Sequence, residues 1–207
     1  MLIELWATYT VACILIILSP GPDNILAIGR GLSQGPAAAI TSSVGASLGL
    51  LVHVAAATFG LAVIIQTSAT VFFIVKVVGA AYLIWLGINA IRARDLITFA
   101  PSERKTIKTV FLTGFLTNVL NPKPVIFILA FVPQFIAPEY GSITTQSLLL
   151  GSWFAALAFM IFAILGCFAS TLAHLLSDSP RAIFGLNIGA GTALIAAGLS
   201  IAILDRE

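Results

Sequence analysis

Ser19-Pro20-Gly21-Pro22-Asp23-Asn24 and Asn121-Pro122-Lys123-Pro124 are the stretches that decide how this chain folds. Each interrupts a long apolar run, and each holds two prolines one residue apart and one charge, Asp23 in the first and Lys123 in the second. A proline inside a helix removes an amide donor and clashes with the carbonyl one turn back, so neither run is an uninterrupted helix. In hydrocarbon the backbone groups freed by such a break must find partners in protein or in a water-lined cavity. Broken helices at matching positions in two halves of a membrane chain point to a binding site. Opposite charges at the two breaks suit a zwitterion.

Composition sets the solvent. Of 207 residues, 59% are hydrophobic and 9% charged, and the mean hydropathy is +1.10. Soluble domains average about 45–50% apolar and about 25% charged residues. One aqueous core could not hide this much apolar surface, so the chain is read as an integral membrane protein. Net charge, +2, says little, because in membranes the placement of charge matters more than its sum. Before its first apolar stretch the chain shows no basic residue and no small-residue cleavage site, so that stretch is read as a retained span.

A helical span needs about 20 apolar residues. Six segments qualify: 5–29, 36–66, 70–91, 110–136, 146–173 and 182–204. Turn signals separate them at Ser33-Gln34-Gly35-Pro36, Gln66-Thr67-Ser68, Pro138-Glu139-Tyr140-Gly141-Ser142 and Ser177-Asp178-Ser179-Pro180. Six spans put both termini on one side. The first, third and fifth loops then share the other side and carry Arg30, Arg92, Arg94, Arg104, Lys105, Lys108 and Arg181, against Arg206 alone opposite. The positive-inside rule places the central loop in the cytoplasm and both termini outside.

A shift of 102 residues aligns Leu18, Pro20 and Pro22 with Leu120, Pro122 and Pro124. Three spans per copy would make the second copy enter from the opposite side, the inverted-repeat topology of many secondary transporters. The expected fold is therefore all-α and polytopic: six transmembrane helices in two inverted three-helix repeats, with the first and fourth helices broken. It forms a single domain over 1–207, with repeat one at about 1–91, a cytoplasmic loop at 92–109 and repeat two at about 110–207.

At the first break Gly21 is expected to let the chain turn sharply, and carbonyls around residues 16–18 become available as ligands. Amides after Pro22 begin a second half-helix whose positive end suits an anion. The plain alternative is a kink that only aids packing, which two matched and charged pairs make the weaker reading. Asp23 is a helix cap or else the counter-ion for a substrate ammonium or a proton carrier. A charge at a helix centre costs about 2.5–3.5 kcal/mol on insertion scales, so such residues are functional candidates by default. Lys123 is a lysine packed against Asp23 or an anchor for a carboxylate. Asn24, Asn118 and Asn121 flank the breaks and could hold backbone or substrate. The candidate substrate-binding set is Pro20, Gly21, Pro22, Asp23, Asn24, Asn121, Pro122, Lys123 and Pro124, with Asp23 and His53 as candidates for a proton relay.

Other features read more plainly. Lys76 can snorkel to the outer surface, and His53 can also be a polar helix–helix contact. Gly45 and Gly49 form a GxxxG pair that lets helices approach closely, and Gly185, Gly189, Gly191 and Gly198 serve the last span in the same way. Gly45-Ala46-Ser47-Leu48-Gly49 matches the nucleophile elbow G-x-S-x-G, but that motif needs a strand–turn–helix context. Ser47 and His53, six apart on a helix, also face different ways. Cys13 and Cys167 lie in apolar runs without a CxxC and read as buried free thiols. No enzyme activity, metal site or cofactor is expected.

With these residues in hand, the chain resembles the LysE/RhtB family of bacterial amino-acid exporters over nearly its whole length. The motifs that carry the resemblance are Ser19–Asn24, the glycine-spaced stretch 45–53, Gly79-Ala80-Ala81-Tyr82-Leu83-Ile84-Trp85-Leu86-Gly87 running into Arg92, and Asn121-Pro122-Lys123-Pro124 followed by Phe131-Val132-Pro133-Gln134-Phe135. The resemblance implies a multi-pass protein of the bacterial inner membrane that exports an amino acid, with the proton as coupling ion. Partners are then the small-molecule substrate, the proton and the lipid bilayer; nucleic acid is not among them, and assembly of several copies stays open. Asp23 is the only acid at membrane depth, which favours a neutral zwitterion such as threonine, homoserine or leucine over a cation. Two alternatives are a divalent-metal exporter, which would want several carboxylate, His or Cys ligands together, and a thiol–disulfide relay through Cys13 and Cys167, which would need the two thiols close.

Overall fold

A computed structural model describes residues 3–67, 69–92 and 103–169, with 171 and short pieces between 184 and 199. These residues form helices α1 (Ile3–Leu18), α2 (Pro22–Gln34), α3 (Pro36–Thr67), α4 (Ala69–Arg92), α5 (Ile107–Val119), α6 (Pro122–Phe131) and α7 (Ile143–Cys167). Two 3₁₀ turns, Val132–Phe135 and Pro138–Tyr140, connect α6 to α7. The protein is all-helical, with no strand among the described residues.

Both predicted breaks are present. The axis turns by 64° between Leu5–Leu18 and Pro22–Gln34, and by 47° between Ile107–Val119 and Pro122–Phe135. In each case a proline opens the second half, at the first helical position where its missing amide costs nothing. Pro36–Gly60 and Ile143–Cys167 are each long and apolar enough to cross a bilayer, and counting each bent pair as one span brings the number to four. α4 coincides with the third expected span and contains the shorter apolar stretch Val77–Asn89. The sixth expected span, 182–204, and the glycines placed on it lie largely outside the described residues, as do residues 93–102 and the side chain of Lys76.

Lipid removes the hydrophobic drive between helices, so contact depends on close backbone approach at small residues. α3 packs on α5 this way: Gly45 and Gly49 lie against the backbone of Phe111 and Phe115, and Gly114 lies against that of Ser42. Gly31 of α2 meets Gly166 of α7, and Gly79 of α4 meets Ala130 of α6. A methyl group at any of these glycines would strike its neighbour. The stretch 45–49 is helical throughout, which removes the context a nucleophile elbow requires. The turn before α3 is made at Gly35, whose φ of 81° favours glycine.

Candidate functional site

The site is built where the two breaks meet. At the end of α1 the last carbonyls lose their helical partners, and side chains replace them. The Ser19 hydroxyl donates to the Ile16 carbonyl at 3.0 Å, and the Asn24 amide donates to that of Ile17 at 2.8 Å. The Lys123 ammonium donates to the Ser19 carbonyl at 2.6 Å. A cation from the second break thus sits at the negative end of α1, where the helix dipole favours it. Of the carbonyls expected to be available as ligands, those of Ile16 and Ile17 are instead satisfied within the protein.

Gly21 is extended, with φ of −173°, a conformation open to any residue. Its lack of a side chain serves space rather than the turn: a Cβ there would lie 3.3 Å from the Lys123 nitrogen. Asp23 does not cap α2, because the N-cap is Gly21 and no side chain caps it. The Asp23 carboxylate accepts at one oxygen from the Asn121 amide at 2.8 Å and from the Asn118 amide at 3.1 Å.

The second break is capped. The Asn121 side-chain Oδ1 accepts from the Lys123 backbone amide at 3.0 Å, which fixes the orientation of its NH₂ towards Asp23. His53 of α3 contacts the backbone carbonyl of Asn118 through Nε2 at 3.0 Å. A carbonyl can only accept, so Nε2 carries a proton. His53 thus makes a polar contact from α3 to α5, at the residue whose side-chain amide donates to Asp23.

Both charges are buried, Asp23 at 6% exposure and Lys123 at 8%, and their hydrogen bonds run to different partners. Buried acceptors remain over: Asp23 Oδ1, Asn24 Oδ1 and Asn118 Oδ1 have no protein partner. Native interiors rarely leave such groups unpaired. Beside them lies a cavity of about 20 Å³, lined by Asp23, Asn118, Lys123 and Pro124 from the breaks and by Ile16, Ile17, Leu50, Phe154, Ala158 and Phe162. That is room for about one water-sized group.

The helices around the site are joined by different contacts at their two ends. Towards the start of α1, Tyr9 lies against Phe131 and Phe135 with ring centroids 6.4 and 5.1 Å apart, and Phe127 packs on Phe131 at 4.9 Å. The Tyr9 hydroxyl donates to the Leu150 carbonyl at 3.0 Å. Towards the end of α2, buried Arg30 donates to the Glu103 carbonyl at 2.6 Å, Gln34 exchanges hydrogen bonds with the Lys105 backbone, and Arg104 donates to the Ser33 carbonyl at 3.2 Å. The two basic connections predicted to share one face, at residue 30 and at 103–108, therefore meet.

Of the sequence-derived set, Asp23, Lys123 and Pro124 line the cavity, and Asn24 and Asn121 are buried in the network beside it. Pro20 and Gly21 are half-buried in the break, while Pro22 and Pro122 open their helices with exposed rings. Asn118 is more central than its sequence position suggested, since it joins Asp23 to His53. The apolar wall from α3 and α7 was not foreseen; hydrocarbon residues in a membrane helix carry no signal of which face a cavity.

Comparisons with known proteins agree on kinship. The family profile described as LysE type translocator matches residues 14–204. A homoserine/homoserine lactone efflux protein of Salmonella typhimurium is 36% identical over 73% of this chain and 73% of its own length. A Bacillus subtilis membrane protein, YrhP, is 34% identical over 78% of the chain and 81% of its own. A leucine efflux protein of an Enterobacter species is 28% identical, with 76% of each chain covered. No solved structure matches significantly.

Proposed function

The chain belongs to the LysE type translocator family, and from that premise we propose that it is a secondary transporter exporting a neutral amino acid or close derivative from the cytoplasm in exchange for protons. The observation that carries this reading is the convergence of one buried carboxylate and one buried ammonium, from two separate helix breaks, on a single cavity. Asp23 holds the substrate ammonium, and its unpartnered Oδ1 is the acceptor for it. Lys123 and the amides at the half-helix starts hold the carboxylate. When the ammonium leaves, Asp23 takes a proton in its place, which couples the two fluxes.

The names of two relatives, one a homoserine efflux protein and one a leucine efflux protein, support an uncharged side chain. A divalent cation is the poorer fit, because an ammonium beside the carboxylate opposes it and the neighbouring donors are amides. The six-span inverted repeat with a cytoplasmic central loop remains our reading of the topology. The meeting of the Arg30 and 103–105 segments supports it. Single cysteines at Lys108 and Ser142 should label from opposite faces of the membrane; labelling from one face would remove the six-span arrangement.

The test of function is a panel of radiolabelled amino acids in reconstituted vesicles with an imposed pH gradient. Neutral amino acids should move against their gradient and lose that movement when the pH gradient is collapsed. Movement of a divalent cation instead, or of no amino acid, would contradict the proposal.

A further inference from the structure

We propose that Phe154, Ala158 and Phe162 of α7 form the subsite for the substrate's side chain, and that Ala158 sets the largest side chain accepted. This rests on the reading of Asp23 and Lys123 as the charge anchors. The three residues are spaced by four, which stacks them on one face of a helix. All are buried, and all line the same cavity as Asp23, Asn118 and Lys123. Leu50 of α3 lines the same cavity and is also buried.

The cavity thus has two chemistries. The broken helices supply charge and amides alongside Ile16, Ile17 and Pro124; the unbroken α7, with Leu50, supplies hydrocarbon alone. An α-amino acid divides in the same way, with its ammonium and carboxylate on one side of the α-carbon and its side chain on another. A charged side chain placed on this wall would be unpaired and expensive. An aliphatic or short neutral one would not, and that is the substrate class the wall selects. Ala158 is the one small residue of the three, a notch between two phenyl rings. Phe154 is braced by Phe127, with ring centroids 5.0 Å apart. At about 20 Å³ the cavity has room for about one water-sized group, so a larger side chain enters by displacing a ring. Phe162, which has no such aromatic brace among the described residues, is the ring we assign to that movement.

The experiment measures export of alanine, valine, leucine and phenylalanine by reconstituted full-length protein, at matched membrane levels, with Asp23→Asn in parallel. Ala158→Val should lower leucine export relative to alanine by about tenfold or more, since one methylene in a tight apolar pocket discriminates by that order. Phe162→Leu should shift the ratio the other way and admit phenylalanine. Equal scaling of all four amino acids in both variants would overturn the subsite. Should Ala158→Val fail to insert, Ala158→Gly only removes atoms and must raise leucine relative to alanine; an unchanged ratio overturns the proposal as well. Unchanged ratios together with a dead Asp23→Asn would leave the anchors standing without the subsite. Shifted ratios with a normally exporting Asp23→Asn would do the reverse.

Discussion

The two helix breaks look alike in sequence and are built for different work. The first bends more, at 64° against 47°, and its N-cap, Gly21, has no side chain to close it. Its loose ends are tied by groups around it: Ser19, Asn24 and, from the other break, Lys123. The second break closes itself, because Asn121 caps α6. From that platform Asn118, Asn121 and Lys123 reach across to the first. The first break thus presents the carboxylate and the Ser19 carbonyl, and the second holds them. The second break is satisfied by its own cap, whereas Asp23 and the Ser19 carbonyl of the first are held from the second.

The largest effect should come from Asp23→Asn. The substitution keeps size and most hydrogen bonding and removes the charge, so export should be lost while insertion is normal; vesicle transport at matched membrane levels reads this. Lys123→Met keeps the stem and removes the ammonium. Hydrogen bonds to charged groups contribute about 1.5–3 kcal/mol, so half-saturation for any substrate with a carboxylate should rise by about tenfold or more, measured by concentration dependence of uptake.

Asn121 separates the platform from the site. Asn121→Ala removes the cap, worth about 1 kcal/mol, and a donor to Asp23, so both thermal stability in detergent and transport should fall. Asn121→Ser restores a capping oxygen but not the amide that reaches Asp23. Stability should return and transport should not. Recovery of both would reduce Asn121 to a helix cap and make the second break purely structural.

The smallest effect should come from the thiols. Both thiols are free, but only Cys13 is buried as expected; Cys167 is half-buried beside the Pro36 carbonyl, at the end of α7. Replacing both with Ala should leave transport near the unaltered rate, whereas loss of activity with normal insertion would revive a thiol relay.

Much of this was legible from sequence because membrane helices obey few rules. Prolines broke the helices where Pro20, Pro22, Pro122 and Pro124 stand, and Gly45 and Gly49 marked the close approach of α3 to α5. Charges in lipid announced Asp23 and Lys123. What sequence could not supply was the cross-connection. Nothing local says that Lys123 binds the Ser19 carbonyl or that Asn118 rather than Asn24 holds Asp23, since such pairs lie about a hundred residues apart. Gly21 differs for a related reason: a glycine between prolines suggests a turn, whereas its backbone is extended and its bare Cα lies beside Lys123.

The central claim is that Asp23 and Lys123 each meet the substrate rather than merely neutralise each other. The direct test is transport by Asp23→Asn with Lys123→Met, beside each single variant, in vesicles with matched protein. A mutual pair leaves no unpaired charge when both members are removed, and breaking one side alone costs most. On the present account both single variants fail and the double variant stays inactive, because neither end of the zwitterion is held. Recovery of export in the double variant would contradict it and leave Asp23 and Lys123 as a structural pair.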